Sequence, residues 1–128
     1  MKVAQTVGGF SYCTKRKVGA ILVKDDQIIA TGYNGTIKGF DNVCEIDSKT
    51  LLTVLHAETN AITSCARKGI ATDESVMFVT LSPCLDCAKL IIQAGIKEVY
   101  YLEKYKRTEG IELLEQANIR VEQIWHTE

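Results

Sequence analysis

The chain has 128 residues, 46% of them apolar and 24% charged, with a formal net charge of -1. That length fits one domain, 1–128, around a single core, and the composition excludes a disordered ground state. A charge near zero argues against broad binding to a nucleic-acid backbone, and no apolar run approaches the ~18 residues that a membrane span needs.

The N-terminal stretch MKVAQTVGGFSYC is broken by Gln5, Thr6 and two glycines, which makes a poor secretory signal. The expected location is therefore cytoplasmic. In that setting the five cysteines are expected as thiols, serving as ligands or small core residues, rather than as a disulfide framework.

An N-terminal helix is a weak option. VGAILV (18–23) and QIIATGYN (27–34) are short β-branched runs around Lys24, Asp25 and Asp26, a hairpin signal. A glycine-bearing loop is expected over 35–50, long enough to carry function. Helical spacing of Ala57, Ala61, Ile62 and Cys65 predicts a helix within 52–68, with Gly69 at its end. SVMFVTL (75–81) reads as a buried strand and CLDCAKLIIQAG (84–95) as a helix closed by Gly95. KEVYYL (97–102) is a strand, EGIELLEQAN (109–118) a helix that Asn118 stops, and IRVEQI (119–124) a last strand. Alternating strands and helices after an antiparallel hairpin predict a mixed sheet covered by helices. Ligand sites in such sheets favour the carboxyl ends of parallel strands, where SPCLDC falls.

Cys84 and Cys87 form a CxxC pair at a helix start. A spacing of three puts both sulfurs on one face, and the partial positive charge of a helix N-terminus favours thiolates, the soft ligands zinc takes. By itself a CxxC is equally at home in a redox pair or a plain core. The redox reading gives His56 and Glu58 no task; a metal reading uses both. His56, Cys84 and Cys87 supply three ligands and leave a tetrahedral zinc one open position, the catalytic pattern. A fourth protein ligand would have to come from Cys13, Cys44, Cys65 or His126, none at a familiar spacing.

Two thiolates weaken zinc as a Lewis acid, so a carboxylate that takes the water's proton compensates, and Glu58 is placed for that. On an ideal helix residues two apart diverge by about 200°. His56 and Glu58 therefore converge only at a first turn, which puts the helix start near His56. The pairing of HAE with a later PCxxC is the signature of zinc nucleobase deaminases.

Four blocks, CTKRKVGAILV (13–23), TGYNGT (31–36), HAETNAI (56–62) and TLSPCLDCAKLIIQAGIKEVYY (80–101), resemble the deoxycytidylate (dCMP) deaminase branch of the cytidine deaminase superfamily. The resemblance implies a three-layer α/β/α fold with a five-stranded mixed sheet, one catalytic Zn2+ on His56, Cys84 and Cys87, and Glu58 as proton carrier. It implies substrate contacts from Asn34, Asn60 and Ser82, with the backbone of Leu81 and Ser82 facing the amino group. Asn34 also reads as a turn residue and Asn60 as a helix-surface one.

A monophosphate substrate needs cations. Lys15, Arg16, Lys17, Lys38 and Arg107 are the candidates, the Lys15–Lys17 cluster foremost; each also reads as a solvated charge. Tyr101 and Tyr105 are offered for base or ribose packing, with plain packing as the alternative. The chain departs from the pattern at Ser82, where many relatives carry Glu, and at Ile37, where a proline is common.

The resemblance further implies dUMP supply for thymidylate synthesis, a homo-oligomer, commonly a hexamer, and dCTP and dTTP as effectors. Gly35 and Lys38 are the effector candidates, with Mg2+ accompanying a triphosphate. The rival readings are a deaminase of free cytidine or of a base in nucleic acid, and a zinc-stabilised binding module.

Overall fold

The computed structural model describes residues 1–125. Helix α1 (Lys2–Gly8) precedes strands β1 (Gly19–Lys24) and β2 (Gln27–Tyr33). Asp25 and Asp26 both adopt positive φ, the left-handed pair that a tight two-residue hairpin turn requires. A crossing segment carries the short strands β3 (Gly35–Thr36), β4 (Glu45–Ile46), β5 (Lys49–Thr50) and β6 (Val54–Leu55). Then come α2 (Ala57–Lys68), β7 (Val76–Leu81), α3 (Leu85–Gln93), β8 (Glu98–Glu103), α4 (Glu109–Gln116) and β9 (Arg120–Gln123).

The main sheet has five strands in the order β2-β1-β7-β8-β9. β1 runs antiparallel to both β2 and β7; β7, β8 and β9 are parallel. Two-residue alternation sorts the side chains. Ala20, Leu22, Met77, Val79, Val99 and Tyr101 face a core shared with Ala57, Ala61 and Cys65 of α2, Ala88 and Ile91 of α3, and Ile111 and Leu114 of α4. Ile21 faces the other way, onto Ala4 and Val7 of α1. The result is the expected three-layer α/β/α fold with a mixed sheet.

Helix ends obey local chemistry. Gly69, Gly95 and Asn118 take positive φ just beyond α2, α3 and α4. The expected 35–50 loop is not structureless: β3 pairs with β6, and β4 with β5 in a small hairpin. These two-residue ladders are too short for any periodic signal.

A second correction concerns the cysteines. Cys13 and Cys44 form a disulfide, with Cα atoms 5.3 Å apart, inside the range the bond demands. The expectation of free thiols followed from an assumed compartment; the fold instead lays the β4–β5 hairpin over the 11–17 segment. Glu45 strengthens the same staple by accepting from the Thr14 and Lys15 amides and the Thr14 hydroxyl. No described helix is long and apolar enough to cross a membrane.

Candidate metal centre and its cleft

Helix α2 starts where the HAE motif demanded, with His56 as its N-cap and Glu58 in its first turn. Cys84 is the N-cap of α3, so Cys87 lies in that helix's first turn, and Pro83 leads into it. The two helix starts meet. His56 Nδ1 lies 3.4 Å from Cys84 Sγ and 3.3 Å from Cys87 Sγ. Tetrahedral zinc with ordinary Zn–N and Zn–S bonds would separate such atoms by about 3.5 Å, so the three donors fit that ion.

No fourth described residue joins them. Cys13 and Cys44 are bonded to each other, and Cys65 is buried in the core. The other described His/Cys/carboxylate cluster is Cys13, Cys44 and Glu45, which belongs to the staple. His126 lies outside the described residues.

Close backbone approach makes the meeting possible. A Cβ on Gly32 of β2 would lie 2.4 Å from the Ala57 carbonyl oxygen and 2.5 Å from the Ala61 nitrogen. One on Gly110 of α4 would lie 2.1 Å from the Pro83 oxygen and 2.7 Å from the Cys84 oxygen. Both glycines let a neighbouring element rest directly on the backbone beside a ligand.

The charges are arranged for a cation. Cys84 is drawn down to about 4, chiefly because the Cys87 thiol donates to its sulfur, with His56 adding a further hydrogen bond against the cost of burial. Cys87 is pushed up, by sharing its proton with Cys84 and then by burial. His56 is raised, mainly by the Cys84 thiolate.

Glu58 is 4% exposed, and burial raises it from its ordinary 4.5 to about 7. A carboxyl raised on folding stabilises fully below its unfolded value, and that contribution disappears as pH climbs through the folded value. Metal-free protein is therefore expected to lose stability relative to its Glu58→Gln variant between pH 4.5 and about 7. Urea midpoints for both proteins across that range measure the widening gap; a constant gap contradicts it.

A cleft of about 650 Å3 opens over the centre at the carboxyl ends of β7 and β8. His56, Glu58 and Cys84 form its polar floor, and Lys15, Arg16, Lys104 and Lys106 line it. The volume suits a small-molecule ligand. Ser82 lines the cleft, but its amide donates to the Glu103 carbonyl and its hydroxyl accepts from the Tyr105 amide. Asn34 lines it too, while its side chain clamps the 16–18 segment by accepting from Val18 N and donating to Arg16 O. Arg16 pairs with Glu103 at 2.5 Å.

Other expected contacts lie elsewhere. Tyr101 is a core residue, because strand alternation places it on the Val99 face; Tyr105 is the tyrosine in the cleft. Asn60 donates to the Tyr33 carbonyl and so fastens α2 to the end of β2, away from the cleft lining. Gly35 is buried in β3 against the Tyr12 ring, and exposed Lys38 lies outside the cleft. Lys17 donates to the Ser11 carbonyl, and Arg107 pairs with Glu109. Lys104 and Lys106 went unread in the sequence. Their signal was position: they directly follow β8, at the strand ends where ligand sites form.

A His/Cys/Cys trio with one open side, a buried carboxyl beside it, and a cleft at parallel strand ends define the zinc-dependent nucleobase deaminase class. The chain belongs to the family described as "Cytidine and deoxycytidylate deaminase zinc-binding region", whose profile matches residues 1–103. It is 45% identical over 119 residues to ComE operon protein 2 of Bacillus subtilis (strain 168), covering 89% of this chain but 63% of that protein. With the deoxycytidylate deaminase of Enterobacteria phage T4 it shares 31% identity, covering 94% of this chain and 86% of the relative. The dCMP deaminase of cyanophage S-TIM5, solved with dCMP and dUMP, superposes with a TM-score of 0.94 at 46% identity, covering 96% of this chain and 92% of that one.

Proposed function

We propose that this protein is a zinc-dependent hydrolase that converts dCMP and water to dUMP and ammonia. The observation that carries the reading is the His56, Cys84 and Cys87 centre at a cleft whose lining also holds Glu58 and the cations Lys15, Arg16, Lys104 and Lys106. The likeness to deaminases whose names and bound ligands specify dCMP supports the substrate.

His56, Cys84 and Cys87 would hold Zn2+, which when bound supplies a water acidified for attack on C4 of the pyrimidine. Glu58 would take one proton of that water and deliver it to the ring nitrogen, then take the proton remaining on the oxygen added at C4 and pass it to the departing amine, so that C4 keeps a carbonyl and ammonia leaves. Burial raises the carboxyl above the ordinary carboxylate range, the direction that suits a group which must both accept and give back a proton. Asn34 holds the 16–18 segment in place, and Arg16 exchanges Glu103 for the substrate's phosphate alongside Lys15, Lys104 and Lys106. Ammonia release from dCMP by the zinc-loaded protein tests the proposal; no release, with or without nucleotide activators, refutes it.

The cationic rim favours a phosphorylated substrate over free cytidine. Replacing Lys104 and Lys106 together with alanine is expected to raise KM for dCMP about 10- to 100-fold, the loss of charge-assisted hydrogen bonds. Turnover of deoxycytidine should not change. Equal effects on both substrates would count against a phosphate site there.

The same reading extends to dUMP supply for thymidylate synthesis, a homo-oligomeric state, and regulation by dCTP and dTTP with Mg2+. Phe40, Val43, Ile46 and Leu52, all within the 40–52 stretch, are exposed apolar side chains that a partner copy could cover. Sedimentation, and ammonia release with each triphosphate added, test these extensions.

A further inference from the structure

We infer that Thr59 is a positioning residue for the metal centre, donating its hydroxyl proton to the Cys87 sulfur. The inference rests on the zinc reading of His56, Cys84 and Cys87 above.

The two ligand sulfurs differ in their surroundings. Cys84 is partly exposed at the cleft floor, so water can solvate its thiolate. Cys87 is 2% exposed and turned away from water. Its sulfur has four polar neighbours among the described residues: the co-ligands His56 Nδ1, at 3.3 Å, and Cys84, the Glu58 carboxyl, which as a carboxylate only accepts, and Thr59 Oγ1 at 3.9 Å. A ligating nitrogen spends its lone pair on the metal and offers the sulfur no proton. A thiolate is a pure acceptor, so between Thr59 and Cys87 the hydroxyl must be the donor.

Helix geometry fixes the placement. Thr59 follows Glu58 in the first turn of α2, and its face of the helix meets the first turn of α3. Asn60 ties that turn to the Tyr33 carbonyl, so the hydroxyl is delivered by a braced backbone.

The chemical effect follows from the ligand set. Two thiolates load the metal with electron density, which blunts its pull on a bound water. A hydrogen bond donated to one sulfur withdraws part of that density. Partners behind metal ligands commonly alter affinity or activity by 10- to 100-fold. In Thr59→Val the methyl groups fill nearly the same volume while the donor is gone; Thr59→Ser keeps the donor and drops a methyl.

The test replaces zinc with Co2+ in the full chain and reads the sulfur-to-cobalt charge-transfer band. Thr59→Val is expected to move that band to lower energy, because a thiolate without its hydrogen bond is easier to oxidise. It should also speed metal release to a chromophoric chelator and lower kcat for dCMP about 10-fold, with KM held. Thr59→Ser should restore all of these. A band unmoved in Thr59→Val, or a serine variant that behaves like valine, overturns the role of Thr59. If the valine variant does not fold, Thr59→Ala is judged by the same band. Failure of the unaltered chain to give a tetrahedral cobalt spectrum with thiolate bands would instead refute the metal centre itself.

Discussion

Glu58→Gln is expected to bind one zinc per chain and turn over dCMP about 10^3- to 10^4-fold more slowly, with KM little changed. The substitution keeps size and buried hydrogen-bonding capacity but removes the group that can accept and return a proton. Positioned acid–base catalysis contributes an acceleration of about 10^2 to 10^4. In the proposed mechanism Glu58 serves several transfers in one cycle, which puts the expected effect at the upper end. Zinc is expected to be retained because the proposed ligands are His56, Cys84 and Cys87, and Glu58 is not among them. Metal content by emission spectroscopy and ammonia release, measured on one preparation, separate the two quantities. A glutamine variant with full turnover would remove Glu58 from the mechanism; one that lost its zinc would make the carboxylate a ligand.

The second large effect belongs to a residue without a side chain. Gly32→Ala is expected to destabilise the fold by about 3 kcal/mol or more, and to lower zinc affinity with it. Overpacking a core typically costs about 1 to 3 kcal/mol when side chains can shift. Here the new methyl would meet backbone atoms, the Ala57 oxygen at 2.4 Å and the Ala61 nitrogen at 2.5 Å, which cannot rotate aside. The remedy open to the chain is to slide α2 off the sheet, which carries His56 away from the sulfurs. Thermal unfolding and zinc titration with a chelator check both parts. A variant with wild-type melting temperature and affinity would show that the helix has slack the structure does not display.

Much of the fold was legible because its signals are local. β1, β2, α2, β7, α3, β8, α4 and β9 each carry their own periodicity and a stop such as Gly69 or Asn118. The HAE and PCxxC pair was readable because ligation constrains residue type and spacing together. The geometric difficulty of HAE even fixed the α2 start, which the structure places with His56 as N-cap. Features set by distant partners were not legible. The Cys13–Cys44 bond depends on how 35–55 folds back, and nothing in either cysteine's neighbours reports that path. Tyr101 was misplaced for a smaller reason: alternation from Val99 already puts it in the core, while Tyr100 stacks on Phe78 across the other face. Lys104 and Lys106 needed the cleft before they could be told from any other exposed lysine.

The N-cap positions of α2 and α3 have a consequence of their own. His56 and Cys84 stand where serine, threonine or aspartate usually holds a helix start, yet neither side chain caps its own helix. Both point to one spot instead. A single bound ion would act as a shared rivet for two helix starts 28 residues apart in the chain (84 minus 56). Losing that ion would loosen both starts in one event. A chemist would record the departure of a cofactor; a protease would find two fresh places to cut, near 56 and near 84, appearing together and closing together when the metal returns.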